Sequence, residues 1–296
     1  MNNSIFKGIA TALITPFKAN GEVDYDAYGR LIDWQIDCGI DALVSCGTTG
    51  EGPTLTDEEH KEVVRYCVER TAGRVPVIAG TGSNDTAYAI ELTRFSCDVG
   101  ADAMLVVTPY YNKATQKGLI ASFEAIADAS TKPLILYNVP SRTGCGIQSA
   151  TYAVLAKHPM ISAIKEANGN ISSVVETMSL VSGRLDMYSG NDDQIVPILS
   201  MGGAGCISVL SNIMPRETCE ITRRFFAGDV AGAAELQMKY VPLINALFSE
   251  VNPIPVKAAM AAMGWCEDIL RLPLTPMEDA TRAKLLGLMR QEGLIG

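Results

Sequence analysis

Short apolar runs that are typical of buried strands alternate with longer helical patterns along most of this 296-residue chain. Such alternation indicates repeated βα units and a parallel sheet. Each unit takes about 30 residues, the length that one strand and its crossover helix require. The strand-like runs begin at Gly8, Ala42, Val75, Ala103, Pro133, Ile161, Asp186 and Gly205. The sequence therefore predicts an α/β chain in which residues 1–224 form a (β/α)8 barrel of the TIM type.

Helical pattern continues beyond the eighth strand, from Pro215 to the end of the chain. It is interrupted near Asn252-Pro253 and near Leu272-Pro273. One barrel helix does not need this length, so we expect residues 225–296 to form a C-terminal helical subdomain packed on the barrel. The alternative architecture is a doubly wound open sheet, which is disfavoured because no GxGxxG motif follows the first strand.

Composition and charge argue against several classes of function. The formal net charge is −9 and the sequence pI is about 4.8. No cluster of lysine and arginine is present, so we expect no nucleic-acid partner. No run approaches the roughly 18 apolar residues of a membrane helix, and no signal-peptide pattern is found, so we expect a cytoplasmic protein without a membrane partner. The eight cysteines are scattered without a CxxC motif, so we expect reduced thiols and no metal site.

A lysine stands near the carboxyl end of the sixth strand, where barrels of this type place their reacting groups. In ISAIKEA the alternating residues Ile161, Ala163 and Lys165 share one face, so Lys165 is expected to point into the barrel near its top. Burial of an ammonium group favours the neutral amine, which is a nucleophile. The alternative is an ion pair between Lys165 and Glu166, but adjacent strand residues point to opposite faces. The pattern therefore favours a nucleophilic lysine.

Two loops that follow predicted strands carry hydroxyl groups. In GTTGEGPTL, Thr48 and Thr49 lie between glycines, in a tight turn whose backbone amides could hold a carboxylate. Such turns are also common without any function. In TPYYN, Tyr110 and Tyr111 end the fourth strand, and one of two such tyrosines usually only packs. We therefore expect one of these two tyrosines to be catalytic.

The motif YNVPSRTG follows the fifth strand. Its Tyr137 offers a phenol that can relay a proton, and its Arg142 offers a guanidinium group that can hold a carboxylate through two hydrogen bonds. The alternative makes Tyr137 a core aromatic residue and Arg142 a solvated loop charge. That alternative is reasonable for either residue alone, but it explains poorly why both stand at one strand end.

Together and in this order, these motifs resemble the dihydrodipicolinate synthase and N-acetylneuraminate lyase family of pyruvate-dependent class I aldolases. The similarity runs from ITPF at Ile14 through GTTGE, AGTGSN, VTPYYN, YNVPSRTG, IKEANGN and SGND to NPIPVK at Asn252. Within the family, the arginine of YNVPSRTG belongs to the dihydrodipicolinate synthase branch, where it holds the carboxylate of aspartate semialdehyde. Arg142 therefore favours that branch over the sugar-acid lyases.

The resemblance implies that pyruvate forms a Schiff base and is condensed with L-aspartate 4-semialdehyde to 4-hydroxy-tetrahydrodipicolinate, on the route to diaminopimelate and lysine. It implies no metal and no organic cofactor, because the lysine adduct is the electron sink. It also implies a homodimer or homotetramer, because the family's tyrosine at position 111 reaches into the neighbouring active site. By position, the catalytic residues would be Lys165, Tyr137, Thr48 and Tyr111, and the substrate-binding residues would be Thr49, Arg142, Gly190 and Ile207.

The same resemblance points to a regulatory site for lysine. Family members that lysine inhibits bind it with residues that align with His60, Asn84, Tyr88 and Tyr110. Those enzymes have a glutamate at the position of Tyr88, and that glutamate pairs with the ammonium group of the ligand. A neutral phenol cannot replace this charge-assisted bond, so we predict weak or absent inhibition by lysine.

Three other functions are compatible with the sequence. A lyase acting on N-acetylneuraminate or a 2-keto-3-deoxy sugar acid would share the lysine but would need a pocket for hydroxyl groups. A phosphate-binding barrel could use the glycine-rich loop at residues 201–205, although that loop precedes the eighth strand, and phosphate sites follow strands seven and eight. A non-catalytic regulatory homologue is the third, although all of the matched reactive residues are present.

Overall fold

Eight parallel strands close into a barrel in the order in which they occur along the chain, in a computed structural model that describes residues 4–296. The first strand pairs with both the second and the eighth, and the latter pairing closes the barrel. The predicted (β/α)8 barrel is confirmed. The strands are β1 (Gly8–Ala12), β2 (Ala42–Ser45), β3 (Val77–Gly80), β4 (Ala103–Val107), β5 (Leu134–Asn138), β6 (Ile161–Glu166), β7 (Asp186–Ser189) and β8 (Gly205–Ser208).

Helices connect consecutive strands and surround the barrel. They are α1 (Tyr25–Asp37), α2 (Asp57–Thr71), α3 (Thr86–Asp98), α4 (Gln116–Asp128), α5 (Pro140–Thr143), α6 (Ser149–Leu155), α7 (Ile171–Val181), α8 (Ile195–Ser200) and α9 (Pro215–Phe226). Short 3-10 helices at Gly52–Thr54, Asp192–Gln194 and Leu210–Asn212 follow β2, β7 and β8. The extra short helix α5 lies in the loop after β5, so this loop has a defined shape at the carboxyl end of the barrel.

Polar residues fix where the helices begin. At α2, the Thr56 side chain accepts a hydrogen bond from the Glu59 amide, and the Glu59 carboxylate accepts one from the Thr56 amide. These reciprocal bonds satisfy two of the amides that a helix start leaves unpaired. The side chains of Asp24 and Asp85 cap α1 and α3 in a similar way. The βα loops therefore end at defined residues, which holds the loops that carry polar side chains in place.

The apolar core has two parts. A large cluster fills the space between the strands and the surrounding helices. A smaller cluster fills the barrel itself and contains many small residues, among them Ala10, Ala42, Ala103 and Ala163. Because the strands of a barrel lean together around a narrow interior, small side chains leave room for a few large ones. The interior is therefore closed by packing, and polar groups at its carboxyl end lie on a rigid base.

The C-terminal part of the chain is helical, with α10 (Val230–Leu247), α11 (Ile254–Ala262) and α12 (Asp279–Gln291). Helix α10 packs on α9 and α12, and α12 also packs on α11. The last barrel helix, α9, ends at Phe226, so it crosses the boundary between residues 224 and 225 that we predicted for the subdomain. Within residues 4–296, no helix combines the length and the apolar character that crossing a membrane requires.

Candidate active site

Lys165 lies on β6, at the level of Tyr137 on β5 and Tyr188 on β7. The residue is only 6% exposed, and its Nζ lies 4.2 Å from the centre of the Tyr137 ring. No ion pair or hydrogen bond of Lys165 is found within residues 4–296. The buried Asp192 carboxyl interacts electrostatically with Lys165 without forming an ion pair. A buried amine that is free of hydrogen bonds and lies beside a phenol is suited to nucleophilic attack followed by proton transfer.

Glu166 occupies the opposite face of β6. Its carboxylate accepts hydrogen bonds from Asn138 Nδ2 at 3.0 and 3.1 Å, the Asn168 amide at 2.9 Å and the Tyr152 hydroxyl at 3.3 Å. Burial raises the pKa of Glu166 to about 7. The carboxylate therefore fastens the ends of β5 and β6 to each other and to α6. It does not pair with Lys165, so the alternative interpretation of Lys165 as a salt-bridge residue finds no support in the geometry.

The GTTG turn after β2 leaves two backbone amides free. The amides of Gly50, Glu51 and Gly52 donate to the carbonyl oxygens of Gly47 and Thr48. Within the described part of the chain, the amides of Thr48 and Thr49 have no such partner. Adjacent unpaired amides in a turn form a concave site for an anion.

Close backbone contact holds this turn against the neighbouring strand. Cys46, the residue between β2 and the turn, has a left-handed φ of 55°. Its carbonyl approaches β3 so closely that a Cβ atom on Gly80 would lie 2.4 Å from the carbonyl oxygen. Any residue larger than glycine at position 80 would therefore push the turn away from the barrel.

The YNVPSRTG segment brings Tyr137 and Arg142 to the same end of the barrel. Tyr137 belongs to β5 and is buried, whereas Arg142 lies on α5 and is exposed. The Arg142 guanidinium group donates from Nη2 to the backbone oxygen of Asn252 at 3.3 Å. This bond fixes the direction of the guanidinium group and leaves its other donors available for a ligand.

A cavity of about 150 Å³ joins these groups, and it is lined by Lys165, Tyr137, Thr48, Thr49, Arg142, Gly190, Val209, Phe248, Asn252 and neighbouring residues. It thus brings together most of the residues that the sequence singled out. Ile207 is packed in the barrel interior on β8, and Val209 takes the lining position at that strand end.

Sequence reasoning missed the part that Asn252 plays in this cavity. Asn252 stands in NPIPVK, a motif that carries part of the family resemblance but that had suggested no role. Its Nδ2 donates to Thr49 Oγ1 at 3.1 Å. Hydrophobic periodicity does not predict a contact between two residues that are 203 positions apart in the sequence. Only the NPIPVK motif itself could have drawn attention to Asn252.

A buried ion pair links the same region to the GTTGE turn. Lys257 on α11 donates to the Glu51 carboxylate and to the carbonyl of Ile269, and both charged side chains are fully buried. The second Glu51 oxygen accepts from the Arg271 amide at 3.2 Å. The Lys257 ammonium group also lies 3.9 Å from the centre of the Phe17 ring. Helix α11 and the turn are therefore held together by charge within the protein interior.

Tyr111 is not part of the cavity. It has a left-handed φ of 69°, and it is 92% exposed. The preceding residue, Tyr110, instead lines the larger cavity described below. Lys113 in the same loop is also left-handed. This chain alone therefore brings only Lys165, Tyr137 and Thr48 of the predicted catalytic residues together.

A second cavity of about 440 Å³ lies beside the first and shares Thr48, Tyr137 and Arg142 with it. The residues His60, Tyr88 and Tyr110 line it. Asn84 does not belong to this lining, and its backbone oxygen accepts a hydrogen bond from Asn112 Nδ2 at 2.8 Å. The Tyr88 hydroxyl donates to Asp57 at 3.0 Å, and burial raises the pKa of Tyr88 to about 12. Three of the four residues predicted for the lysine site are thus gathered around one cavity, and the Tyr88 phenol is neutral near pH 7.

The glycine-rich loop at residues 201–205 lies between α8 and β8, at the amino-terminal end of the strand. Its amides at Met201, Gly202 and Gly203 donate to carbonyl oxygens of α8, and the Ala204 amide donates to Met187. Because these amides are already used within the protein, the loop is not arranged to bind phosphate.

Residues 4–296 hold no cluster of three or more His, Cys, Asp or Glu that could bind a metal, and all eight cysteines are unpaired.

Known proteins resemble this chain over nearly its whole length. The sequence model of the Dihydrodipicolinate synthetase family matches residues 5–292. The 4-hydroxy-tetrahydrodipicolinate synthase of Lachnoclostridium phytofermentans is 55% identical over 293 residues, which cover 99% of this chain and 100% of that protein. The dihydrodipicolinate synthase structure from Aquifex aeolicus has a TM-score of 0.96 at 45% identity, covering 98% of this chain and 99% of that one. The structure of the chloride-inhibited dihydrodipicolinate synthase from Acinetobacter baumannii complexed with pyruvate has a TM-score of 0.96 at 42% identity, covering 98% of this chain and 99% of that one.

Proposed function

The chain belongs to the dihydrodipicolinate synthetase family, and from this premise we infer the reaction that it catalyses and the residues that carry it out. It is a pyruvate-dependent class I aldolase of diaminopimelate and lysine biosynthesis. It condenses pyruvate with L-aspartate 4-semialdehyde, and the products are 4-hydroxy-tetrahydrodipicolinate and water.

In the mechanism that we propose, the side-chain amine of Lys165 adds to the C2 carbonyl of pyruvate, and loss of water leaves an iminium ion. A proton then leaves the methyl group through Tyr137, whose hydroxyl accepts it while passing its own proton on to the Thr48 hydroxyl, and an enamine results. The enamine carbon forms a bond with the aldehyde carbon of the second substrate, whose oxygen takes up a proton. The substrate's amine then adds to C2 and displaces Lys165, which closes the ring and frees the lysine.

The other residues of the cavity bind and orient the substrates. The free amides of Thr48 and Thr49, with the Thr49 hydroxyl, hold the pyruvate carboxylate. Arg142 holds the carboxylate of the aldehyde substrate through its remaining donors. Thr48 and Tyr111 pass protons between Tyr137 and solvent, and the backbone of Gly190 and Ile207 supports the pocket wall.

The position of Lys165 is the observation that carries this proposal. The chain has two buried lysines in its described part, and they have opposite surroundings. Lys257 forms an ion pair with the Glu51 carboxylate, whereas Lys165 has a phenol ring beside its Nζ and no carboxylate within ion-pair distance. Only Lys165 is therefore suited to form an imine.

Trapping of the imine tests this assignment. Pyruvate and borohydride should add one reduced pyruvate to each chain, and peptide mass spectrometry should find it on Lys165. Lys165→Ala should abolish the adduct, whereas the surface variant Lys157→Ala should leave it unchanged. A label on Lys257, or on any other lysine, would show that the mechanism is wrong.

We further propose that the protein is a homodimer, or a homotetramer built from dimers. A tyrosine that is 92% exposed at the end of an active-site loop is well placed to enter a neighbouring site. In this arrangement Tyr111 completes the proton relay of the partner subunit.

The eight unpaired cysteines fit the cytoplasmic location that we propose, because thiols stay reduced there.

Residues 225–296 are, in our proposal, a subdomain that completes the active site. They supply Asn252 and Lys257, both of which contact the GTTGE turn.

For regulation, we propose that lysine binds the larger cavity weakly or not at all. The Tyr88 hydroxyl is neutral and already donates its proton to Asp57, so it cannot replace a carboxylate that pairs with an ammonium group.

A further inference from the structure

The side-chain oxygen of Asn252 is buried and has no hydrogen-bond partner. The residue is only 5% exposed, and it lines the cavity that holds Lys165. A buried polar atom without a partner destabilises a protein, and because Asn252 belongs to a pocket wall, a ligand that enters the pocket can satisfy this oxygen. An amide oxygen can only accept, so that ligand must bring a donor.

The contact between Asn252 and Thr49 supports this orientation of the amide. Asn252 Nδ2 donates to Thr49 Oγ1 at 3.1 Å, which leaves the hydroxyl proton of Thr49 free to donate to an anion. With the amide reversed, the Thr49 proton would be used by Asn252 and lost to the pyruvate carboxylate. The orientation in which Thr49 can serve pyruvate is therefore the one that leaves Asn252 Oδ1 as an acceptor.

A guanidinium group is bound to the backbone of the same residue. Arg142 Nη2 donates to the backbone oxygen of Asn252 at 3.3 Å, so a donor for carboxylate and an acceptor for a cation belong to neighbouring groups. The amino-acid end of aspartate semialdehyde carries a carboxylate and an ammonium group on one carbon atom. A carboxylate on Arg142 therefore brings the ammonium group toward Asn252.

We propose that Asn252 Oδ1 accepts a hydrogen bond from the ammonium group of the aldehyde substrate, and that Asn252 is thereby a specificity-determining residue. This inference rests on the function proposed above. Arg142 distinguishes acidic aldehydes from neutral ones, and Asn252 distinguishes an amino acid from a plain acid. The selected substrate is then the one whose amine can close the ring.

A comparison of two aldehydes tests the proposal. Aspartate semialdehyde is the substrate, and succinate semialdehyde, which lacks the ammonium group, is used as a competing inhibitor at saturating pyruvate. In Asn252→Leu, which has a similar volume and no polar atom, the KM for aspartate semialdehyde should rise about ten- to a hundredfold, the range expected for one charge-assisted hydrogen bond. The inhibition constant of succinate semialdehyde should change less than threefold, a change worth under about 1 kcal/mol.

Two further variants keep the test decisive. Asn252→Asp retains the acceptor, so its preference for the aldehyde with the ammonium group should equal or exceed that of the wild type. Thr49→Val removes the partner of Asn252 Nδ2, so it should weaken pyruvate binding and leave the preference between the aldehydes unchanged. If Asn252→Leu does not fold, the Asp variant alone decides, because a reduced preference in that variant contradicts the proposal.

The borohydride adduct separates the two levels of inference. Absence of a pyruvate adduct on wild-type Lys165 overturns the proposed function. A normal adduct in Asn252→Leu, together with an equal loss of affinity for both aldehydes, overturns only the role of Asn252, because the residue would then act on the pocket as a whole.

Discussion

Replacement of Lys257 by methionine should destabilise the protein strongly, although the residue lies outside the reacting groups. Methionine fills a similar volume but carries no charge. It would leave the Glu51 carboxylate buried, with the Arg271 amide as its remaining hydrogen-bond donor. Removal of one partner from a buried ion pair costs about 3–5 kcal/mol of unfolding free energy. For a chain of this length, that corresponds to a fall in Tm of roughly 10 °C.

The double variant identifies the cause. In Glu51→Gln with Lys257→Met, neither charge remains, and the amide of glutamine still accepts from the Arg271 amide. The double variant should therefore lose less stability than the two single variants added together, by about 2 kcal/mol or more. Chemical denaturation of the four proteins at one protein concentration gives this coupling energy.

The ion pair should also affect pyruvate binding, because Glu51 follows directly on the turn that carries Thr48 and Thr49. Lys257→Met should raise the pyruvate concentration needed for half-maximal borohydride trapping, while the adduct mass and its position on Lys165 stay the same. A loss of less than 1 kcal/mol in Lys257→Met, or strict additivity of the two substitutions, would refute the reasoning that this pair is a buried and mutually dependent unit.

Four further outcomes are expected. Arg142→Ala should retain the pyruvate adduct but lose use of the aldehyde, and equal loss of both half-reactions would indicate a structural role. Mixed subunits of inactive Tyr111→Phe and inactive Lys165→Ala should regain activity, because one site of each hybrid dimer would be intact; no recovery after verified subunit exchange would place Tyr111 in its own site. Lysine titration at fixed pyruvate should show little inhibition of the wild type and stronger inhibition of Tyr88→Glu, whereas half-inhibition of the wild type below about 1 mM would contradict the role given to the phenol. Burial raises the pKa of Glu166 from 4.5 to about 7, so the stability of the wild type relative to Glu166→Gln should fall as the pH rises through this interval, and a constant difference across it would contradict the pKa shift.

The alternation of strands and helices, together with the lack of a GxGxxG motif after the first strand, predicted the barrel. Side chains return to the same face every two residues in a strand and every 3.6 residues in a helix, so a short stretch of sequence is enough to recognise either pattern. The same local rule placed Lys165 on the face of Ala163 and turned Glu166 away from it. Motifs at strand ends could be grouped in advance, because all eight strands of a parallel barrel end on the same side.

Only the tertiary structure decided which distant residues complete the site. Asn252 meets Thr49 across 203 positions, and Lys257 meets Glu51 across 206. These contacts depend on how the segment that includes α11 packs on the barrel, and the local sequence periodicity does not predict this packing. The exposure of Tyr111 likewise belongs to a loop with two left-handed residues, Tyr111 and Lys113, and a pattern of apolar and polar positions does not reveal such a loop. Sequence alone thus determined the faces of the elements, whereas the packing of elements far apart in the chain determined which side chains meet.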